Sequence, residues 1–252
     1  MNYTEIEQKI NENKSVDFGD IFNKSFELFK KTWQQGLLYM LLSIGIVLCV
    51  MALIMIPLFV TGIFDPAVFE SLESGNPDFK GIIMLYLVMF PAIFVASTFS
   101  MLLNAAFYRI VKQIEIEALE TPVASFGMFF KSEYITKAFV LSLLTMVIAI
   151  VAALACYLPL FYVMIPLTYV VVIFAFNPEM SVSDIIKLSF KLGTKKWLVT
   201  FGLVIVASIL AEVVGLLLCG IGVFVTASFV YLPTYYIYKE VVGFDENTVE
   251  ID

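Results

Sequence analysis

The stretch Asp17-Phe-Gly-Asp-Ile-Phe-Asn-Lys-Ser-Phe-Glu-Leu-Phe-Lys-Lys-Thr-Trp33 returns near the other end of the chain as Ser181-Val-Ser-Asp-Ile-Ile-Lys-Leu-Ser-Phe-Lys-Leu-Gly-Thr-Lys-Lys-Trp197. At a constant offset of 164, Asp20, Ile21, Ser25, Phe26, Leu28, Lys31 and Trp33 meet identical residues, and a long apolar run follows each copy. In the first copy Phe18, Ile21, Phe22, Ser25, Phe26, Phe29 and Trp33 fall three and four apart, while Asp20, Asn23, Lys24, Glu27, Lys30 and Lys31 take the other face. That spacing predicts an amphipathic helix lying in a membrane interface. Asp17 stands at its N-cap, and Lys30 and Lys31 stand at the negative end of its dipole. In the second copy Ser181 and Asp184 form a capping pair, with Lys195 and Lys196 in the last turn.

The runs that follow these copies are set in a chain of 252 residues that is 61% apolar and 15% charged, with a mean hydropathy of +0.95. Soluble domains are nearer half apolar and a quarter charged, so the composition specifies an integral membrane protein. About 20 residues at 1.5 Å rise cross a hydrocarbon core of roughly 30 Å. Residues 36–60 and 81–108 each fit one span, Pro91 being placed to kink the second. Residues 138–178 carry no charge and fit two spans that turn near Tyr157-Leu158-Pro159. Residues 197–238 fit two more around Gly220 and Gly222. A weaker third copy, Ser125-Phe-Gly-Met-Phe-Phe-Lys131, matches the first at an offset of 100 in Ser125, Phe126, Phe129 and Lys131.

The expected fold is therefore an all-α membrane bundle of six transmembrane helices arranged as three hairpins, each preceded by a cytoplasmic amphipathic interfacial helix. Residues 1–16 are expected to be a polar tail, flexible or weakly helical, with no signal peptide. Residues 17–238 form a single membrane domain with repeat units of about 17–108, 121–176 and 181–238, and residues 239–252 are an acidic, mobile tail. Thr61 to Lys80 reads as an acidic loop, with Asp65, Glu70, Glu73 and Asp78. Of the 15 Lys and Arg residues this arrangement puts only Lys80 outside, so both termini are expected in the cytoplasm. Trp33, Trp197, Tyr235, Tyr236 and Tyr238 fall at the cytoplasmic boundary, where amphipathic rings concentrate.

The net charge of −7 is spread over tails and connections. The chain has no His, which removes the residue most used in acid–base catalysis and metal ligation near neutral pH. No phosphate-binding loop, dinucleotide fingerprint, nucleophile elbow or metal-ligand spacing is present, so no cofactor is expected. The bases are too few for a nucleic-acid footprint. Cys49, Cys156 and Cys219 lie singly in apolar runs and read as small buried hydrophobes without a disulfide.

Glu212 is the one acid deep in an expected span, where a carboxylate costs about 2.5–3.5 kcal/mol unless it is compensated. It reads either as a proton or cation site on a substrate path, or as a structural carboxyl bonded to a neighbouring helix or reaching outer-surface water. Small residues recur at Ala92, Ala96, Ser100 and Asn104, and again at Ala207, Ala211 and Gly215, the spacing that lets helices approach closely in lipid. Asn104 is the candidate polar cross-link, with Glu212 as one partner for it. Pro91, Pro166 and Pro233 each interrupt a returning span, which fits either ordinary packing or broken helices around a site. Trp33, Trp197, Lys30, Lys31, Lys195 and Lys196 are the expected interfacial anchors, with Lys24, Lys187 and Lys191 adding to basic faces that suit anionic lipid headgroups.

The motif Phe18-Gly-Asp-Ile-Phe-x-x-Ser-Phe-x-Leu-Phe-Lys-Lys-x-Trp33 followed by a span resembles the opening of a broad group of bacterial membrane proteins. These are described as the membrane domain of glycerophosphoryl diester phosphodiesterases and its uncharacterised relatives. Ile185-x-x-Ser-Phe-x-Leu-x-x-x-Lys-Lys-Trp197 is similar to that group's repeated segment. In such proteins the phosphodiesterase activity belongs to a separate soluble barrel, so the resemblance implies the membrane domain alone and carries over no catalytic residues. The expected function is non-enzymatic: an accessory or scaffold subunit of a bacterial plasma-membrane assembly, with membrane lipids and other membrane subunits as partners. The alternative is a transporter or lipid conduit with Glu212 and Asn104 on its path.

Overall fold

The computed structural model describes residues 1–60, 79–117, 122, 125–155, 157–218, 220 and 222–244, and the described residues are helical, without a strand. In chain order the helices are α1 (Tyr3–Glu12), α2 (Phe18–Val60), α3 (Phe79–Ile116), α4 (Ser132–Leu154), α5 (Leu158–Phe176), α6 (Val182–Lys195), α7 (Trp197–Leu217), α8 (Gly222–Thr226) and α9 (Leu232–Val241). A 3₁₀ turn, Ala227–Tyr231, joins the last two. Among the described residues α2, α3, α4, α5 and α7 are long and apolar enough to cross a membrane, the pattern of a multi-pass membrane protein.

The opening motif does not form a helix of its own. Asp17 Oδ1 accepts from the Asp20 amide at 2.8 Å, as its N-cap position predicts, but the helix it starts continues for 43 residues, about 65 Å. Gly36 leaves the helix unbroken because it serves packing. A Cβ there would lie 2.0 Å from Ser228 Oγ and 2.6 Å from Ser228 Cβ, so the 3₁₀ turn lies directly against α2 at this point. Phe22, Phe26 and Phe29 clasp Phe229 edge-on a little earlier along the same helix. Gly36→Ala is expected to destabilise by about 1–3 kcal/mol through overpacking. Thermal unfolding in detergent measures this, and Ser228→Gly in the same chain is expected to recover most of the loss.

The second copy keeps its cap, with Ser181 Oγ accepting from the Asp184 amide at 3.2 Å and donating to its carboxylate at 2.7 Å. Ile185, Ser189 and Leu192 are buried in α6, as are Ile21, Ser25 and Leu28 at the matching positions of α2. One residue, Lys196, separates α6 from α7. Gly193 takes the place of Phe29, and a Cβ on it would meet Pro166 Cα at 2.4 Å and Pro166 N at 2.8 Å. Backbone therefore touches backbone, and α6 packs closely on α5 instead of standing apart from it.

Other expectations are corrected. Residues 126–129 of the middle copy form a turn, with Met128 N bonded to Ser125 O and Phe130 N to Gly127 O. Too few residues separate Pro122 from the start of α4 for an amphipathic helix, and Phe129 is used as a core plug against Phe174 and Tyr134. The returning segment after Gly222 is split, because Pro233 lacks an N–H and the backbone tightens to 3₁₀ just before it. Tyr235, Tyr236 and Tyr238 are buried against neighbouring helices, and α9 continues through Lys239 and Glu240, where the tail was expected to begin. Cys49 is exposed on α2 instead of buried. Residues 61–78, Cys156, Cys219 and residues 245–252 lie outside the described residues.

The expected turns hold. Tyr157, at a left-handed φ of 63°, and Pro159 start α5, and Gly220, at φ 80°, follows α7. α3 continues through Pro91.

The first sixteen residues are not a free tail. Asn2 caps α1 by accepting from Glu5 N at 2.9 Å, Asn13 closes it in the left-handed region, and Ile6 and Ile10 are fully buried. Isoleucines four apart give this short polar helix one apolar edge, which docks with α6.

Candidate functional site

Two polar layers and two isolated polar residues make up the chemistry that the fold positions. The first layer lies where α3 ends against α5 and α9. Arg109 Nε donates to Ala175 O in the last turn of α5 at 2.6 Å, and its guanidinium sits 5.6 Å from the centre of the Phe176 ring. A buried cation here meets the negative end of the α5 dipole and satisfies a carbonyl that has no helical partner. Asn177 Nδ2 donates to Ile173 O and to the Tyr238 hydroxyl at 2.8 Å, fastening the end of α5 to α9. Glu115 accepts from the Tyr235 hydroxyl at 2.7 Å and from Lys239 Nζ at 2.6 Å, joining α3 to α9. On α4, Lys137 donates to Pro178 O and Tyr134 to Glu179, which ties that helix to the same corner.

The second layer joins α1, α6 and the ends of α2 and α9. Lys191 meets Glu7 at 2.6 Å. Lys195 Nζ reaches Ile10 O, Asn11 O and Asn11 Oδ1, and Lys196 Nζ reaches Asn13 Oδ1 and Lys14 O. These lysines cap the carbonyl end of α1. Burial pushes the Lys196 ammonium below its usual range, with the neighbouring Lys195 charge adding to the effect. Glu240 accepts from both Lys14 and Lys24 at 3.0 Å, so the residues after α1, the start of α2 and the end of α9 share one carboxylate.

The Glu7 carboxyl is held below its usual range by its hydrogen bond from Lys191 and then by one from Tyr3. A depressed carboxylate stabilises above its unfolded value and loses that contribution as pH falls through the lower, folded value. Docking of α1 is therefore expected to be intact at neutral pH and to loosen below the ordinary carboxylate range. Amide exchange at Ile6 and Ile10, corrected for intrinsic rates, is expected to rise as pH falls through that window, and Glu7→Gln to remove the dependence.

The expected anchors separate into two kinds. Lys195 and Lys196 are occupied by α1, and Trp197 donates its indole N–H to Tyr162 O at 2.9 Å while stacking on Phe201. Trp33 is exposed, as is Lys31, and Lys30 pairs with Glu27 over the Phe26 ring.

Asn104 and Glu212 are not brought together. Asn104 is buried in α3, and its Oδ1 has no hydrogen-bond partner. Tyr39 of α2 stacks on Phe107 of α3, with ring centres 5.3 Å apart. Ser43 Oγ is likewise buried, beside the Tyr39 hydroxyl but outside hydrogen-bonding geometry. Glu212 is on the exposed face of α7, while Ala207, Ala211 and Gly215 of the small-residue stripe are buried, as is Leu203 one turn earlier.

Arg109 escaped notice in the sequence although it is the chain's only arginine, placed where an apolar run ends. A planar fork that suits a buried carbonyl and an aromatic face is the signal that marks it. Among the described residues no group of three or more His, Cys, Asp or Glu is placed to hold a metal. Compared with protein-family models, with curated proteins and with solved structures, the chain matches none.

Proposed function

We propose that this chain is a non-enzymatic, multi-pass accessory or scaffold subunit of a bacterial plasma-membrane assembly. The observation that carries this reading is the division of labour between polar and apolar side chains. Arg109, Glu115, Asn177, Tyr235 and Tyr238 are spent on holding helices to one another. Long apolar faces remain uncovered, including Leu48, Leu53, Ile56 and Phe59 on α2 and Ile83, Leu87, Phe90 and Ile93 on α3. Such faces take lipid or other membrane helices. The six spans pair as three hairpins in this reading, with α8, the 3₁₀ turn and α9 together making the sixth.

Both termini are cytoplasmic. The bias of 14 of 15 bases to one side supports this, as does the Glu240 carboxylate shared by Lys14 and Lys24. Lys30 and Lys31 meet anionic headgroups, and the likeness of residues 18–33 to phosphodiesterase membrane domains fits a protein that works beside lipid. Extraction from native membranes in mild detergent, followed by identification of co-purifying chains, tests the proposal. A defined membrane partner is the expected result, and a clean monomer counts against it.

A second reading, a transporter or lipid conduit, draws on the buried, unpartnered oxygens of Asn104 in α3 and Ser43 in α2. Here the two readings predict opposite results. If Asn104 only packs, Asn104→Leu removes an unsatisfied buried group and is expected to leave detergent stability unchanged or raised by about 1 kcal/mol. If Asn104 holds a ligand or a water chain, the same variant loses stability or a transport signal in vesicles.

A further inference from the structure

Among the described residues no hydrogen bond or ion pair compensates Glu212. It follows Trp197 by 15 residues, about 22 Å along α7, and precedes the helix end at Leu217 by five residues, about 8 Å. It therefore lies within the hydrocarbon depth of a helix just long enough to span. On the same stripe, three residues before and four residues after it, stand Ile209, 55% exposed, and Leu216, 69% exposed. The opposite stripe is the one that packs inward. An acid flanked on its own face by exposed apolar side chains is costly against lipid, and its cost is relieved by a facing donor or cation.

The sequence places no Lys or Arg at the depth of Glu212 in its own apolar runs. No Lys or Arg occurs in residues 32–79, 81–108, 138–186 or 197–238, and Lys80 stands at the extreme outer end of α3. We infer that the Glu212 face of α7 is an interface for a transmembrane helix of a different protein, which presents a Lys or Arg to Glu212. The inference rests on the subunit reading above and names the chemistry of that partner. Ile209 and Leu216 supply the apolar contact on either side of the pair, and the pair fixes the depth at which the two helices meet. A buried intramembrane ion pair acts as a register mark, because a shift of one turn leaves both charges facing hydrocarbon.

The full chain is expressed in its native membranes with a photo-cross-linking residue at Ile209 or at Leu216, and the cross-linked peptides are identified by mass spectrometry. The expected product joins α7 to a membrane-spanning segment of another protein that carries Lys or Arg within one turn of the cross-link. Glu212→Gln is expected to reduce recovery of that protein at least tenfold with detergent thermal stability unchanged. Exchanging the charges, Glu212→Lys here with the opposing base changed to Glu, is expected to restore it. Cross-links only to lipid, to a second copy of this chain or to a segment without a base overturn the inference, as does full recovery with Glu212→Gln. If a membrane partner still co-purifies in that case, the subunit reading stands and only the role of Glu212 falls. If no chain co-purifies with the unaltered protein, both fall.

Discussion

Gly193→Ala is expected to destabilise the bundle by about 3 kcal/mol or more, the upper end of what overpacking costs. The new Cβ meets Pro166 Cα at 2.4 Å and Pro166 N at 2.8 Å, so relief requires moving a helix instead of a side chain. Pro166 lies inside α5 and is buried, as are Tyr169, Val170, Val172, Ile173 and Phe174 of the same helix. Moving α6 away instead pulls on α1, which is held through Lys191, Lys195 and Lys196. For a domain of this size the loss corresponds to a fall in Tm of roughly 6–12 °C. Differential scanning of the purified chain in one detergent measures it. Gly127→Ala, whose Cβ lies 3.9 Å from Ser125 Oγ, is the control expected to shift Tm little.

Arg109→Met is expected to cost about 2 kcal/mol and to loosen the end of α5 specifically. Opposing effects are at work, since removing a buried cation also removes its desolvation cost. In the native state that cost is offset by a charged hydrogen bond worth about 1.5–3 kcal/mol, a desolvated cation–π contact of about 2 kcal/mol and the α5 dipole. Methionine restores bulk and contact with Phe176, but it leaves Ala175 O buried without its donor, for about 1–3 kcal/mol. The unsatisfied carbonyl decides the sign. Amide exchange is expected to rise first at Ile173 to Asn177, while α7 stays protected. Arg109→Lys should recover part of the stability, because the charge remains but the planar fork is lost.

What the sequence revealed depended on how local the signal was. The caps at Asp17 and Ser181, the turns at Tyr157 and Gly220 and the apolar runs are set within a few residues, and they reappear in the structure. Whether Trp33 to Gly36 ends a helix is decided elsewhere. Ser228 needs Gly36 bare, and that contact joins residues 192 apart in sequence. The same holds for α1, which reads as a polar tail because only Ile6 and Ile10 face its partner and its lysine clamps come from residues 191–196. Tyr235 and Tyr238 read as boundary rings by composition, and the local sequence does not show the partners of their hydroxyls, Glu115 and Asn177, which lie more than 60 residues away. Of the two residues singled out in the spans, Asn104 is buried, but its Oδ1 has no partner where a polar cross-link was expected. Which way Glu212 points depended on the rotation of α7, set by Ala207, Ala211 and Gly215 packing inward.

The mass of the particle extracted from native membranes directly into polymer nanodiscs tests the subunit reading most directly. A stoichiometric assembly containing this 28.3 kDa chain and at least one other membrane protein is the predicted result. A uniform population holding only one copy of this chain and lipid contradicts it.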